Sequence, residues 1–400
     1  MTKEPASGGR VRVLYVQYTN PAVYPPLLHS IGLLADAGCE VRLVGLDTMN
    51  RDLAIAYPAG VTARLLPSEA PGWRQKVNYA QFARAAMTEA AAFRPHWVYA
   101  SDALSTPVAR LLARRAVPRV VYHEHDTPFE AWEPDSASWF MGRVMKARLG
   151  LARRADVCIV PNATRADALR AATGRRDITV VWNCPRRADV ARPRERTDQS
   201  GLRVLFYGSV APGHLPLSVV DALAQLPPTV ELDFAGYETF AHHGYIQTLL
   251  DYARTRGVGA RVRYRGVLNR TQLLDLSSTC DVGLALFSST PANPNEEGMV
   301  GASNKVFEYL ARGLPVLTGD RPDWRAAFEA SGVARSCERD SPDSIAAALR
   351  GFADNPDERR AMGERGRRRV LEDWNYDTQF APVLRTVVGD DQLHRERAAM

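Results

Sequence analysis

Residues 298–319 read GMVGASNKVFEYLARGLPVLTG. Gly298 and Gly301 loosen a loop ahead of an apolar helical pattern over 304–312. Ser303 or Asn304 is placed to cap that helix and satisfy free backbone N–H groups. Gly313 stops it, and the apolar run 314–318, with Pro315 at its start, reads as a buried strand. A glycine-bearing loop that feeds a helix N-terminus is an anion site, because unpaired N–H groups and the helix dipole both favour negative charge. Lys305 falls in the first turn, where a cation opposes the dipole unless an anion such as a phosphate is bound there. Glu308, three residues on, shares its face and can accept two hydroxyl hydrogen bonds of the kind a ribose offers. The competing reading is a surface Lys305–Glu308 ion pair at helical spacing, worth about 0.2–0.5 kcal/mol.

The same strand–helix grammar runs outward in both directions. Upstream, strands fit at 202–207, 230–235, 261–265 and 281–286, with helices at 217–225, 244–256 and 270–278 between them. Downstream, helices fit at 323–330, 342–353, 356–372 and 376–388. The first half repeats the pattern, with strands at 11–17, 41–46, 61–66, 96–100, 119–123, 156–160 and 178–182. Helices at 26–37 and 73–92 are its clearest. Apolar strands alternating with helices imply parallel sheets covered on both faces. The pattern breaks at 185–201 (PRRADVARPRERTDQSG), which holds two Pro and five Arg and reads as an interdomain linker. The expected division is therefore an N-terminal Rossmann-like domain over 1–185, a linker over 186–201, a second Rossmann-like domain over 202–375, and a terminal helix and tail over 376–400 that fold back on the first domain. Open parallel sheets bind ligands at the carboxyl ends of their strands, so a cleft between the two domains is the expected site.

Composition excludes several function classes. With 400 residues, 46% hydrophobic and 24% charged, the chain has the profile of a globular protein of two or three domains, at about 150 residues each. The net charge of +6 comes from 51 basic and 45 acidic residues, but only four of the basic ones are Lys (Lys3, Lys76, Lys146, Lys305). That imbalance is the mark of codon bias in a GC-rich genome, so the charge does not argue for nucleic-acid binding. It does make Lys305 conspicuous. Five scattered Cys without a CxxC imply neither a disulfide framework nor a zinc site. The polar N-terminus and the lack of a long apolar run predict a cytoplasmic location.

SNKVFEYLARGLPV resembles the donor-binding motif of glycosyltransferase family 4, of the GT-B fold. RVLFYG (203–208), VRYRGVLNRTQLLDLSSTCDVGLAL (262–286), VYHEHD (121–126), ADVCIVPNATRADAL (155–169) and VVWNCP (180–185) resemble further family segments in the right order. The resemblance implies two Rossmann-like, doubly wound parallel-sheet domains facing a cleft. It implies a retaining transferase, independent of metal and of any cofactor, that moves a sugar from a nucleotide-diphosphate donor, UDP favoured over GDP. The acceptor would be a hydroxyl of a glycan, a lipid-linked molecule or a small molecule. Under it Lys305 contacts the diphosphate and Glu308 the ribose, with Gly208, Ser209, His214, Gly236, Gly266, Val267, Ser303 and Asn304 completing the donor site. His125 contacts the donor sugar, which makes His125, Lys305 and Glu308 the catalytic set. Tyr18, Asn20, Tyr24 and Asp126 shape the acceptor or sugar pocket, against the alternative that the aromatics only pack the 17–29 loop.

Three positions depart from the family pattern. Many members carry an Arg after the first glycine and a Lys five residues later, where this chain has Ser209 and His214. Many also carry a Glu eight residues before the position of Glu308, where this chain has Val300, with Glu296 and Glu297 nearby. These changes keep two alternatives in play: a nucleotide-sugar epimerase of the same fold, and a non-catalytic nucleotide-sugar-binding protein. The basic segment 143–154 (RVMKARLGLARR) reads either as a peripheral contact with the inner face of a membrane or as a solvated helix face.

Overall fold

The computed structural model describes residues 10–47, 57–70, 72–115, 117, 119–133, 135, 138–190, 201–238, 242–288 and 294–389. Most of the expected linker (191–200), the first nine residues and the tail 390–400 lie outside them. The chain divides into two compact units, one formed by 1–183 with 376–400, the other by 184–375.

The first unit is built on a seven-stranded parallel sheet. Its strands are β1 (Arg12–Gln17), β2 (Glu40–Leu46), β3 (Val61–Leu66), β4 (Trp97–Ser101), β5 (Arg119–His123), β6 (Val157–Val160) and β7 (Thr179–Val180). Their order is β3-β2-β1-β4-β5-β6-β7, so the sheet reverses direction between β1 and β4. Helices α1 (Pro25–Asp36), α2 (Trp73–Phe93), α3 (Thr106–Arg115), α4 (Trp139–Ala152) and α5 (Ala163–Thr173) supply the crossovers. Two apolar clusters, one on Leu14, Val16, Val98 and Tyr122, the other on Val13, Tyr15, Tyr99 and Val121, fill opposite faces. Alternate residues of the same strands feed each cluster, which is why these strands read as unbroken apolar runs. The second cluster also takes Tyr376, Phe380, Val383 and Val387 from the last helix, α14 (Tyr376–Val388).

The second unit carries a six-stranded parallel sheet in the order β10-β9-β8-β11-β12-β13. The strands are β8 (Leu202–Ser209), β9 (Val230–Tyr237), β10 (Val262–Tyr264), β11 (Val282–Ala285), β12 (Val316–Gly319) and β13 (Ala334–Cys337). The helices are α6 (Ser218–Ala224), α7 (Tyr245–Thr255), α8 (Arg270–Ser277), α9 (Pro294–Glu297), α10 (Asn304–Ala311), α11 (Pro322–Trp324), α12 (Pro342–Asp354) and α13 (Pro356–Glu372). Its order reverses between β8 and β11. Both sheets are thus doubly wound, as the strand–helix alternation predicts.

The differences from the sequence reading have local causes. Strand β13 was not anticipated: ARSC is four residues long with only its ends buried, too short for a period. The helix expected over 323–330 is a single turn, α11, running into a wider π turn over Arg325–Glu329. The basic segment 143–154 belongs to α4, which starts at Trp139, and it is not simply a solvated face. Arg148 is buried and forms a two-pronged pair with buried Glu124, both contacts at 2.6 Å, while Tyr122 donates to the same carboxylate at 2.6 Å. Removing one partner of such a pair strands a charge in the core, at a cost of about 3–5 kcal/mol. The pair therefore pins α4 to the end of β5.

Candidate functional site

In the second unit the site is assembled at the carboxyl ends of β8, β9 and β10. Gly208 lies opposite Gly236 in the β8–β9 register, and the Gly236 N–H donates to the Gly266 carbonyl at 2.9 Å. Three of the expected donor-site glycines therefore stand side by side, Gly208 and Gly236 on neighbouring strands and Gly266 two residues past the end of β10. Val267, next in the chain, is 55% exposed, an apolar surface beside them.

Helix α10 delivers Lys305 to this row. Its apolar face, Val306, Phe307, Tyr309, Leu310 and Ala311, is buried, which leaves Lys305 and Glu308 on the other side. Tyr309 packs so closely over β11 that a Cβ at Gly283 would overlap its ring. Its hydroxyl also accepts the Tyr207 backbone N–H at 3.2 Å. Lys305 Nζ then lies 4.3 Å from the Phe206 ring centre and 5.6 Å from that of Phe287. Gly208 has φ +118°, and a Cβ there would stand 3.4 Å from Lys305 Cε and 3.5 Å from Nζ. Glycine at 208 thus allows the backbone bend, while a Cβ there would lie in ordinary contact with the amine. Burial without an acidic partner pushes the Lys305 pKa down to about 7. Among the described residues no carboxylate forms an ion pair with it.

The alternative of a Lys305–Glu308 pair is not what forms. Glu308 Oε1 accepts from Arg270 Nη1 at 3.2 Å, and Oε2 accepts from the Tyr207 hydroxyl at 3.2 Å. Side-chain capping is also corrected. Ser303 takes the N-cap position of α10 in extended backbone, but its side chain makes no capping bond. The first-turn N–H groups keep their capacity for an anion. Ser209 ends β8, and its carbonyl faces His214 Nδ1 at 3.1 Å. Burial first, then the Lys305 charge, pushes the His214 pKa down to about 4, so the ring is neutral near pH 7 and adds no cation. Glu296 and Glu297 sit on α9, where their backbone carbonyls accept from buried Arg321.

The first unit carries its own pocket at the carboxyl ends of β1 and β4, where the sheet reverses. Its volume is about 200 Å³. Gln17, Tyr18, Tyr24, Ser101, Asp102, Asp126 and Met141 are among its walls. Tyr18, Tyr24 and Asp126 are thus brought together as expected, and Asn20 is not. The Asn20 side chain accepts the Ala22 N–H at 2.7 Å and caps a short 3₁₀ turn over Pro21–Val23. His125 is buried one layer behind the wall. Its Nε2 is 2.9 Å from Ser101 Oγ, and its ring centre is 3.9 Å from His123 and 5.2 Å from Tyr24. Burial, then the charge of Arg165, pushes its pKa down to about 3. His125 is accordingly a neutral hydrogen-bonding ring, unsuited to acid–base work at neutral pH.

Two residues here escaped the sequence reading. Asp102 follows β4 with φ +62° and ψ 170°, a backbone region that side chains rarely adopt. Its Oδ1 accepts the His125 N–H at 2.9 Å, and loss of hydration pushes its carboxyl up to about 7. A polar Ser-Asp pair closing an apolar strand was the available signal. Arg165, near the start of α5, donates to the His125 carbonyl and to Asp126 Oδ1, the latter at 2.9 Å. It was hidden among 47 Arg that carry little individual information.

Comparison with known proteins follows the two-unit plan. Residues 27–184 match the model of the glycosyl transferase 4-like domain, and residues 218–385 match a glycosyl transferase-like family. A glycogen synthase of Mycobacterium tuberculosis is 27% identical over 295 residues, 72% of this chain and 67% of that protein. Among solved structures, a sucrose-phosphate synthase from Thermosynechococcus elongatus superposes with a TM-score of 0.70 at 17% identity, covering 98% of this chain and all of the other. Anabaena HepE in complex with UDP and glucose gives 0.67 at 17% identity, over 94% of this chain and 99% of that one. The chain belongs to the GT-B glycosyltransferases of the family 4-like class.

Proposed function

We propose that the protein is a retaining hexosyltransferase that takes its sugar from a nucleoside-diphosphate donor, UDP preferred, and needs no metal. The acceptor is a hydroxyl of a glycan, lipid-linked or small molecule. The observation that carries this reading is Lys305: an amine with no acidic partner among the described residues, held beside Gly208 at the start of a helix whose N-cap side chain, Ser303, makes no capping bond. A diphosphate restores the charge that burial removes, and the helix N-terminus adds favourable N–H groups. HepE, similar in fold, has been seen with UDP, which supports the base preference. In the reaction the bond between C1 and the diphosphate oxygen breaks while the acceptor oxygen bonds to C1 on the same face. The acceptor proton passes to the departing phosphate. No strong protein base is required, which fits a neutral His125, and Lys305 stabilises the charge that develops on the leaving group. The pocket lined by Tyr24, Asp102 and Asp126 is the place for sugar or acceptor hydroxyls.

Thermal-shift screening against UDP, GDP, ADP and dTDP tests the donor. At about 100 times its dissociation constant the right nucleotide stabilises by roughly 2.7 kcal/mol. UDP is expected to give the largest shift, and no shift with any of the four would refute the reading. Proton NMR of the product anomer then separates retention from inversion. Nucleotide release without an acceptor product would instead favour an epimerase.

A further inference from the structure

We propose that Arg270 and Tyr207 are positioning residues for Glu308, orienting its carboxylate so that one lone pair on each oxygen is left for a vicinal diol, the 2′- and 3′-hydroxyls of a ribose. The proposal rests on the donor-site reading above.

A carboxylate offers about four acceptor sites, two on each oxygen. Two are taken by donors from different elements. Arg270 Nη1, from the first residue of α8, reaches Oε1 at 3.2 Å, and the Tyr207 hydroxyl, from β8, reaches Oε2 at 3.2 Å. Among the described residues each oxygen thus has one resident donor and a lone pair that no side chain uses. The resident donors are themselves held. Arg270 Nη2 bonds Asp189 Oδ2 at 3.0 Å, so the guanidinium bridges two carboxylates and cannot swing free. The start of α8 is fixed by a reciprocal cap, in which Asn269 Oδ1 accepts the Gln272 N–H and Gln272 Oε1 accepts the Asn269 N–H, both at 3.0 Å. The Tyr207 ring meets the Tyr309 ring edge-on at 5.0 Å, over the strand that α10 is docked on. Although burial opposes its charge, the carboxylates of Glu308 and Asp189 raise the Arg270 pKa, so the guanidinium stays charged. A Glu side chain has three rotatable torsions, and without these two donors its remaining lone pairs would have no fixed direction.

A site that meets a diol with two directed acceptors rejects a ligand lacking one hydroxyl, because an acceptor is then left unpaired. The readout is therefore the ratio of dissociation constants for a 2′-deoxynucleoside diphosphate and its ribo counterpart. A purely structural loss would weaken both ligands alike and leave the ratio unmoved. Calorimetry on the full chain would use whichever of UDP and GDP binds more tightly, with its 2′-deoxy form. In Arg270→Ala the ratio is expected to fall at least about fivefold, and in Tyr207→Phe about twofold to threefold. Arg270→Lys keeps the charge but not the fork, and should fall between wild type and Arg270→Ala. Glu308→Ala, measured in parallel, should lose most of the discrimination. If Glu308→Ala abolishes it while Arg270→Ala and Tyr207→Phe keep the wild-type ratio, the positioning role is overturned and the donor site stands. If Glu308→Ala itself keeps the wild-type ratio, the donor-site reading falls. Should Arg270→Ala fail to fold, Tyr207→Phe, which deletes one hydroxyl, decides the matter alone.

Discussion

At Lys305 the ammonium group lies over one aromatic ring and near a second, and among the described residues no carboxylate balances it. Its pKa near 7, against 10.5 for an ordinary lysine, has a definite sign of consequence. Between those two values the folded protein binds fewer protons here than the unfolded chain does. Stability at this site therefore rises as pH climbs from 7 to 10.5, is lost as pH falls back across that range, and is lowest below 7. Binding a diphosphate reverses the deficit by stabilising the charged amine. Nucleotide binding at pH 8 should therefore take up close to one proton per site, and affinity should weaken as pH rises from 7 to 9. Calorimetry in two buffers of different ionisation heat measures that uptake, and Lys305→Met should abolish it. His214, neutral down to about pH 4, does not interfere in this range. Lys305 and Glu308 were legible in the sequence because each needs only helical spacing after a glycine loop. Arg270 was not: it lies 38 residues from Glu308, and nothing in local periodicity links α8 to α10.

Helix α10 turns that residue chemistry into a fixed geometry. Its seat is Gly283, where Tyr309 covers the strand and reaches across to the Tyr207 backbone. Gly283→Ala inserts a methyl under the ring. Overpacking of this kind costs about 1–3 kcal/mol. The variant should melt at a lower temperature and also bind UDP more weakly, since Lys305 and Glu308 ride on the displaced helix. A melting shift without loss of UDP affinity would mean that the seat is not what aims the helix. Element types were readable throughout because apolar strands and amphipathic helices differ in period. The exceptions were α9 and β13, each four residues long and too short to show one, and the π turn after α11, which sits inside a helix-like pattern. In the pocket of the first unit, Tyr24 and Asp126 were predictable from their place after strands. The strained backbone of Asp102 was not, because a φ of +62° at an Asp leaves no trace in composition.

At the scale of the whole molecule, the chain builds one doubly wound unit, then a second, and returns to the first at Tyr376. The return is secured by burial. Phe380, Val383 and Val387 of α14 join Leu27, Ile31 and Leu34 of α1 in one apolar cluster. Each large side chain so buried contributes roughly 1.5–3 kcal/mol. Deleting residues 376–400 should lower the melting temperature of the first unit by several degrees, while the transition that responds to nucleotide keeps its position. Scanning calorimetry with and without UDP separates the two, and an unchanged profile would show that α14 is dispensable. The basic side of the +6 balance is spread over 47 Arg, whereas of the four lysines Lys305 alone lies on α10. The donor site is tested most directly by the dissociation constant of UDP for the wild-type chain and for Lys305→Ala and Glu308→Ala. Each variant is expected to lose at least tenfold in affinity, about 1.4 kcal/mol, with melting temperatures in the absence of nucleotide close to wild type. Affinities unchanged in both variants would contradict the site assignment.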